Sequence, residues 1–262
     1  MNFLRLLMIM TVAGAVAHTS AWGQEVAPAP APEQKAFETK LSLGATLTDG
    51  NSETMQVNGS LITEGEKKGL GSVRAGIEAN YGETTTKTIN EAGVVTENSD
   101  TTIKNANLFV GAKKTITELT FWSINASTLY DDIAEIDYRA TLAPGLGFYL
   151  VKNDTASLSI EAGPAYIWEK VSGVTDNYLA LRLGERFDYA FSDTAKVWQS
   201  AEYLPKADDF GDYLLNVEVG AEAALNSTMS LRLVLQNKHD STPGAGLEKN
   251  DLVLIGGLGV KL

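Results

Sequence analysis

His239, Asp240 and Ser241 stand in a row and are the three residue types of a hydrolase triad. In such a triad a histidine takes the serine proton and a carboxylate orients the histidine, so the three must converge in space. Adjacent residues in one loop rarely converge, which leaves a lipid hydrolase centred on His239 as a minor reading. Two acidic groups, Asp131, Asp132, Glu135 and Asp137, then Asp208, Asp209 and Asp212, offer oxygen ligands at short spacing, the kind that hold Ca²⁺ or Mg²⁺. Neither group has the regular spacing of a defined calcium loop, so plain solvation is the simpler account. The chain has no cysteine, no His/Cys cluster for zinc and no Gly-rich phosphate loop between a strand and a helix. No catalytic residue, cofactor or metal ligand is assigned from these patterns.

A third set of charges is dispersed: Lys40, Arg74, Arg139, Arg182, Arg186 and Arg232 against Glu78, Glu161, Glu218 and Glu222. What they do depends on the elements that carry them. From Phe37 onward the dominant period is two, which sends alternate side chains to opposite faces of a strand. Phe37, Thr39, Leu41, Leu43, Ala45 and Leu47 form one face, while Lys40, Ser42 and Gly44 lie on the other. The same split places each of the ten charges opposite an apolar run. It predicts strands over 37–48, 53–64, 70–83, 99–113, 117–130, 136–150, 155–169, 176–190, 194–205, 211–224, 228–239 and 249–262. The segment at Val197-Trp198-Gln199 alternates poorly, and Glu185 interrupts its oily face, which a bulge would explain.

These strands are longer than the five or six residues usual in soluble proteins and suit a tilted crossing of a bilayer. Alternate connections are short, and the two longest, Thr84–Asn98 and Asp240–Glu248, fall on the same side. Tyr81, Tyr130, Tyr138, Tyr166, Trp168, Tyr178, Tyr203 and Tyr213 mark one end of the strands; Trp122, Phe148, Phe187 and Tyr189 mark the other. Two aromatic belts are the mark of two membrane interfaces. The fold class is therefore all-β, a closed antiparallel transmembrane β-barrel of about twelve strands. Such a barrel has a backbone diameter of roughly 24 Å, much of it filled by long inward side chains. Two readings of the inward charges stand open: a narrow charge-lined pore, or an ion-pair network that closes and stabilises the barrel.

The N-terminus reads as an export signal over residues 1–23, with Arg5 before a short apolar run and small residues near Ala21 and Gly23. An Ala/Pro-rich leader over 24–36 precedes the barrel domain at 37–262. The formal net charge of −12 argues against nucleic-acid partners. Expected partners are outer-membrane lipid and lipopolysaccharide, divalent cations at the acidic outer loops, and the barrel-assembly machinery, engaged through the terminal strand Gly257-Leu258-Gly259-Val260-Lys261-Leu262. That strand resembles the terminal signal of outer-membrane barrels, with leucine in place of the commoner final phenylalanine.

The Gly50-Asn51-Ser52 turn after the first strand, the tyrosines at the outer strand ends and the Gly-rich last strand resemble the YdiY-like family of salt-induced outer-membrane proteins. The resemblance covers Phe37 to Leu262. It implies an outer-membrane location and a link to osmotic stress, and it brings no activity and no functional residue. The resulting expectation is a non-enzymatic barrel serving as a pore or in salt adaptation, with a structural or adhesive barrel bearing cation-binding loops as the alternative.

Overall fold

A strand with one apolar face can sit in hydrocarbon only if its backbone N–H and C=O groups are all paired, which in a sheet requires closure. The computed structural model describes residues 37–48, 52–67, 71–89 and 95–262 and meets this requirement with a closed antiparallel barrel. Its twelve strands are β1 (Glu38–Thr48), β2 (Ser52–Lys67), β3 (Gly71–Ile89), β4 (Val95–Thr115), β5 (Thr120–Asp131), β6 (Ile136–Lys152), β7 (Ala156–Val171), β8 (Val174–Ser192), β9 (Ala195–Pro205), β10 (Tyr213–Ala224), β11 (Met229–Asp240) and β12 (Asn250–Lys261). The expected signal and leader, and the Gly50-Asn51 part of the first turn, lie outside the described residues.

The apolar face points outward all round the ring. Leu43, Leu108, Leu146 and Leu254 are each more than half exposed, a surface suited to lipid rather than water. Aromatic rings gather near the strand ends: Tyr203, Tyr213 and His239 stack at the outer end, and Phe187, Tyr189 and Phe191 form a chain at the other. The tight β7–β8 turn uses Ser172 and Gly173 at φ 49° and 78°, the left-handed pair that matches strand twist.

Three local expectations are corrected. The loop expected over Thr84–Asn98 is mostly ladder, because β3 and β4 stay paired from Thr86↔Asn98 to Ile89↔Val95. Threonines at 84, 85, 86, 88 and 96 are β-branched and favour extended backbone, and Lys87 adds ion pairs to Glu53 and Glu97. No bulge occurs at Glu185: its pairing runs unbroken through Ile160↔Glu185 and Glu185↔Ala201. The carboxylate faces outward and accepts a hydrogen bond of 3.2 Å from Gln199 Nε2, so each polar group supplies what the other lacks. Tyr178, expected in the outer belt, instead turns inward against the buried residues Ala143, Ala165, Ile167, Ala180, Leu204 and Leu214. This apolar cluster fills the lumen beside β6–β10. The poor alternation at 197–199 has a related cause: Trp198 is buried inside the barrel while Gln199 lies on the wall.

Closure rests on the shortest ladder. β1 meets β12 through four register pairs, Lys40↔Lys261 to Leu43↔Leu258, whereas β1–β2 and β11–β12 each have eleven. Where the ladder stops, the backbones crowd. A Cβ on Gly257 would sit 2.6 Å from the Leu43 carbonyl oxygen, and one on Gly44 would collide with that of Gly256. We expect Gly257→Val to destabilise closure by about 1–3 kcal/mol, as overpacking does. Heat-modifiable mobility of the folded barrel in detergent gels checks this; an unchanged transition would show that the seam tolerates a side chain there.

Candidate functional site

The barrel interior carries the charges, and its outer end is crossed by them. Arg139 on β6 donates from Nε to Glu169 on β7 at 2.5 Å and from Nη2 to Asp240 on β11 at 3.0 Å. β6 and β11 are five places apart in a ring of twelve, so the second bond spans the lumen. Lys238 on β11 reaches Asp131 on β5, six places away, at 3.9 Å. Above them, in the turn after β9, Lys206 lies 4.3 Å over the Tyr178 ring and pairs with Asp212 at 2.7 Å and Asp176 at 3.5 Å. Thr242 donates to Asp212 as well. Partial burial works against both charged forms, but these bonds outweigh it: the Asp212 carboxyl is held below its ordinary range and the Lys206 ammonium above its own.

The other expected residues sit lower in the barrel. Glu161 accepts from Arg182 at 3.0 Å and from the Ser123 hydroxyl at 3.0 Å, and pairs with Lys113. Arg182 also binds Glu202 at 2.5 Å. Lys40 donates to Glu222 at 2.7 Å, and Lys196 approaches the same carboxylate at 3.7 Å. Glu218 accepts from the Trp198 indole at 2.6 Å and from Gln236 at 2.9 Å. Arg186 grips Asp188 through Nε and Nη2. Arg74 lies over the Phe109 ring and Arg232 over the Trp198 ring, at 4.7 and 5.1 Å from the centroids. Glu78 lines a cavity with Arg232 but makes no ion pair among the described residues. The structure thus gathers Glu161 with Arg182, and Lys40 with Glu222; Arg139 finds partners outside the expected ten.

Two cavities remain, one between β1–β3 and β11–β12, the other reaching from β1–β3 to β8–β11. One of about 30 Å³ includes Asn58, Glu78, Gln236 and Ile255; the other, about 70 Å³, includes Lys40, Arg74, Arg186 and Glu222. Ser42 and Arg232 border both, which makes them the point where the two meet. Three inward glycines give space to rings: a Cβ on Gly76 would strike Phe109, one on Gly147 Phe121 and one on Gly220 Trp198.

Several members of the network were not expected from sequence. Glu169 shares the parity of Glu161, and Glu202 that of Trp198, so strict alternation was the available signal. Asp240 read as a loop residue, yet it ends β11 on the inner face. The His239-Asp240-Ser241 triplet does not converge. His239 Nδ1 pairs with Asn250 at 2.9 Å, Asp240 binds Arg139, and the Ser241 hydroxyl accepts from the Tyr213 N–H at 2.7 Å. The acidic loop residues are similarly engaged, Asp132 with Lys104 and Asp137 with Lys170. Among the described residues no three acidic or histidine side chains assemble as a cation site.

The profile of the family described as "Protein of unknown function, DUF481" matches residues 41–262. A search of curated proteins gave no match. Among solved structures, the barrel resembles the NanC porin at 10% identity, with 86% of this chain and 100% of that chain covered and a TM-score of 0.51. An outer membrane channel from Pseudomonas putida shares 10% identity over 91% of this chain and 100% of that chain, TM-score 0.49. The KdgM porin shares 8% over 87% and 99%, TM-score 0.46. At such identities the NanC likeness shows a common fold and nothing finer.

Two outcomes follow from the outer-end network. Arg139→Ala leaves Glu169 and Asp240 facing inward without their cation and should destabilise the barrel by about 3–5 kcal/mol, measured by reversible denaturant unfolding in micelles. The Lys206–Asp212 clasp should depend on pH. Asp212 titrates below its free value of 3.8, so its contribution is present above that pH and is lost as pH falls through the lowered value. Lys206 titrates above 10.5, so the clasp fails again only as pH rises beyond that. Protection of the amides across 206–212, measured relative to their intrinsic exchange rate at each pH, should therefore be high at neutral pH and fall in strong acid.

Proposed function

We propose that this chain, which belongs to the DUF481 family of proteins of unknown function, is a non-enzymatic outer-membrane barrel enclosing a narrow, charge-lined pore that is barred at its outer end. The observation that carries this reading is the pair of cross-lumen contacts, Arg139–Asp240 and Lys238–Asp131, lying toward the outer end of a lumen that keeps two adjoining cavities. A barrel meant only as a rigid plug would gain nothing from leaving these two cavities unfilled, since buried voids forfeit packing.

The apolar outer wall supports a place in the outer membrane, with lipid and lipopolysaccharide as neighbours, and the N-terminal pattern over 1–23 supports export. The Gly-rich last strand is the element to engage the assembly machinery. The YdiY-like resemblance gives the bar a setting. Salt weakens the attraction between charges, so a lumen barred by ion pairs loosens as ionic strength rises, although burial limits the effect. Nothing favours the hydrolase reading, because His239, Asp240 and Ser241 are each bound to different partners. Cation binding by the outer loops is likewise not favoured, since lysines already neutralise Asp132, Asp137 and Asp212.

Single-channel recording of the refolded protein in a planar bilayer tests the proposal. Wild type should show small or infrequent openings. Asp240→Asn combined with Lys238→Gln should give larger or longer ones, because both crossings are weakened while Arg139 keeps Glu169. Equal silence from folded wild type and folded double variant would sink the pore reading.

A further inference from the structure

We infer that the larger cavity binds a small oxyanion, of the carboxylate or phosphate class, between Arg74 and Arg232. The inference names the solute class for the pore proposed above and rests on that reading for its physiological meaning. A guanidinium carries five N–H donors and accepts nothing, so an enclosed arginine requires oxygen partners. Arg74, whose side chain is 40% exposed, has one carboxylate within 4.0 Å, Glu64 at 3.9 Å, beyond hydrogen-bond distance, with Glu218 and Glu78 acting on it from farther off. Arg232 has none within 4.0 Å among the described residues, and its Nε is buried without a hydrogen bond.

The acids around them are occupied. Glu222 is shared by Lys40 and Lys196, Glu38 by Lys261 and Lys40, and Asp188 takes two donors of Arg186. Glu78 lies in the adjoining cavity and supplies field but no bond. Meanwhile Phe109 and Trp198 each hold one guanidinium against an aromatic face. A stacked arginine keeps its N–H edge free and oriented, which is the arrangement that grips a planar carboxylate or a phosphate through two parallel bonds. The two arginines border the same space of about 70 Å³, room for a few water molecules or one small oxyanion. Four carboxylates also line this space, but three are bound elsewhere and Glu64 stands at 3.9 Å, so a small oxyanion would supply the acceptor these two guanidiniums lack.

Isothermal calorimetry on the refolded full barrel in micelles, with inorganic phosphate and with succinate as probes, tests the site without requiring conduction. Saturable binding is expected for the wild type. It should weaken at least roughly tenfold in Arg74→Gln/Arg232→Gln, the loss of charge-assisted bonds. Arg232→Lys, which keeps the charge but loses the fork, should fall between. Circular dichroism and gel mobility establish that each variant is folded; should the double variant fail to fold, the single Arg232→Gln and Arg232→Lys variants carry the comparison. Preference for one probe distinguishes a carboxylate from a phosphate ligand. No saturable binding by folded wild type, or equal binding by the variants, overturns the proposal. Binding by a barrel silent in bilayers would keep the site and remove the pore; conduction without binding would do the reverse.

Discussion

Every feature of this molecule descends from one constraint: no backbone amide facing hydrocarbon can go unpaired. Twelve strands satisfy it by forming a ring, and a ring has an inside. The period of two then dictates which residues enter. A lysine at 40 or an arginine at 139 is forced inward because its neighbours at 41 and 138 are the ones lipid accepts. The electrostatic network is thus a consequence of closure, and its geometry is read from register rather than from local sequence.

Inside, the ring is filled unevenly. Beside β6–β10, Ile167, Leu204 and Leu214 make an apolar core with Tyr178, and the charges of Arg182, Glu161 and Glu202 pack next to it. Around the two cavities the side chains leave room, and Arg74 and Arg232 lean on rings rather than on carboxylates. An interior ion pair repays its desolvation only with good geometry. The short, multiply bonded pairs on the filled side meet that condition, whereas Arg74 does not.

Much of this was legible in the sequence. The strand positions emerge from alternation within a few residues, and parity puts the ten charges on the face opposite the apolar one. The failures are physical and specific. Trp198 and Gln199 exchange the roles their polarity suggests, because a lumen with room accepts an aromatic ring and a paired glutamine can face lipid. Tyr178 looked like an interface residue from its distance to the strand end, yet parity already placed it inside. The Arg139–Asp240 crossing was beyond reach: it joins residues a hundred positions apart, and only the closed ring determines which strands face one another.

The crossings also have a mechanical meaning. A hollow hoop under uneven side pressure turns oval, and a strut across its diameter resists that change. Arg139–Asp240 and Lys238–Asp131 are such struts, tying β11 to β5 and β6 near the outer rim. At the four-pair join between β1 and β12, Lys40–Glu222 makes a shorter reach, from β1 to β10, three places round the ring. A side load on the hoop, such as a stretched membrane applies, is therefore resisted most along the line from β11 to β5 and β6.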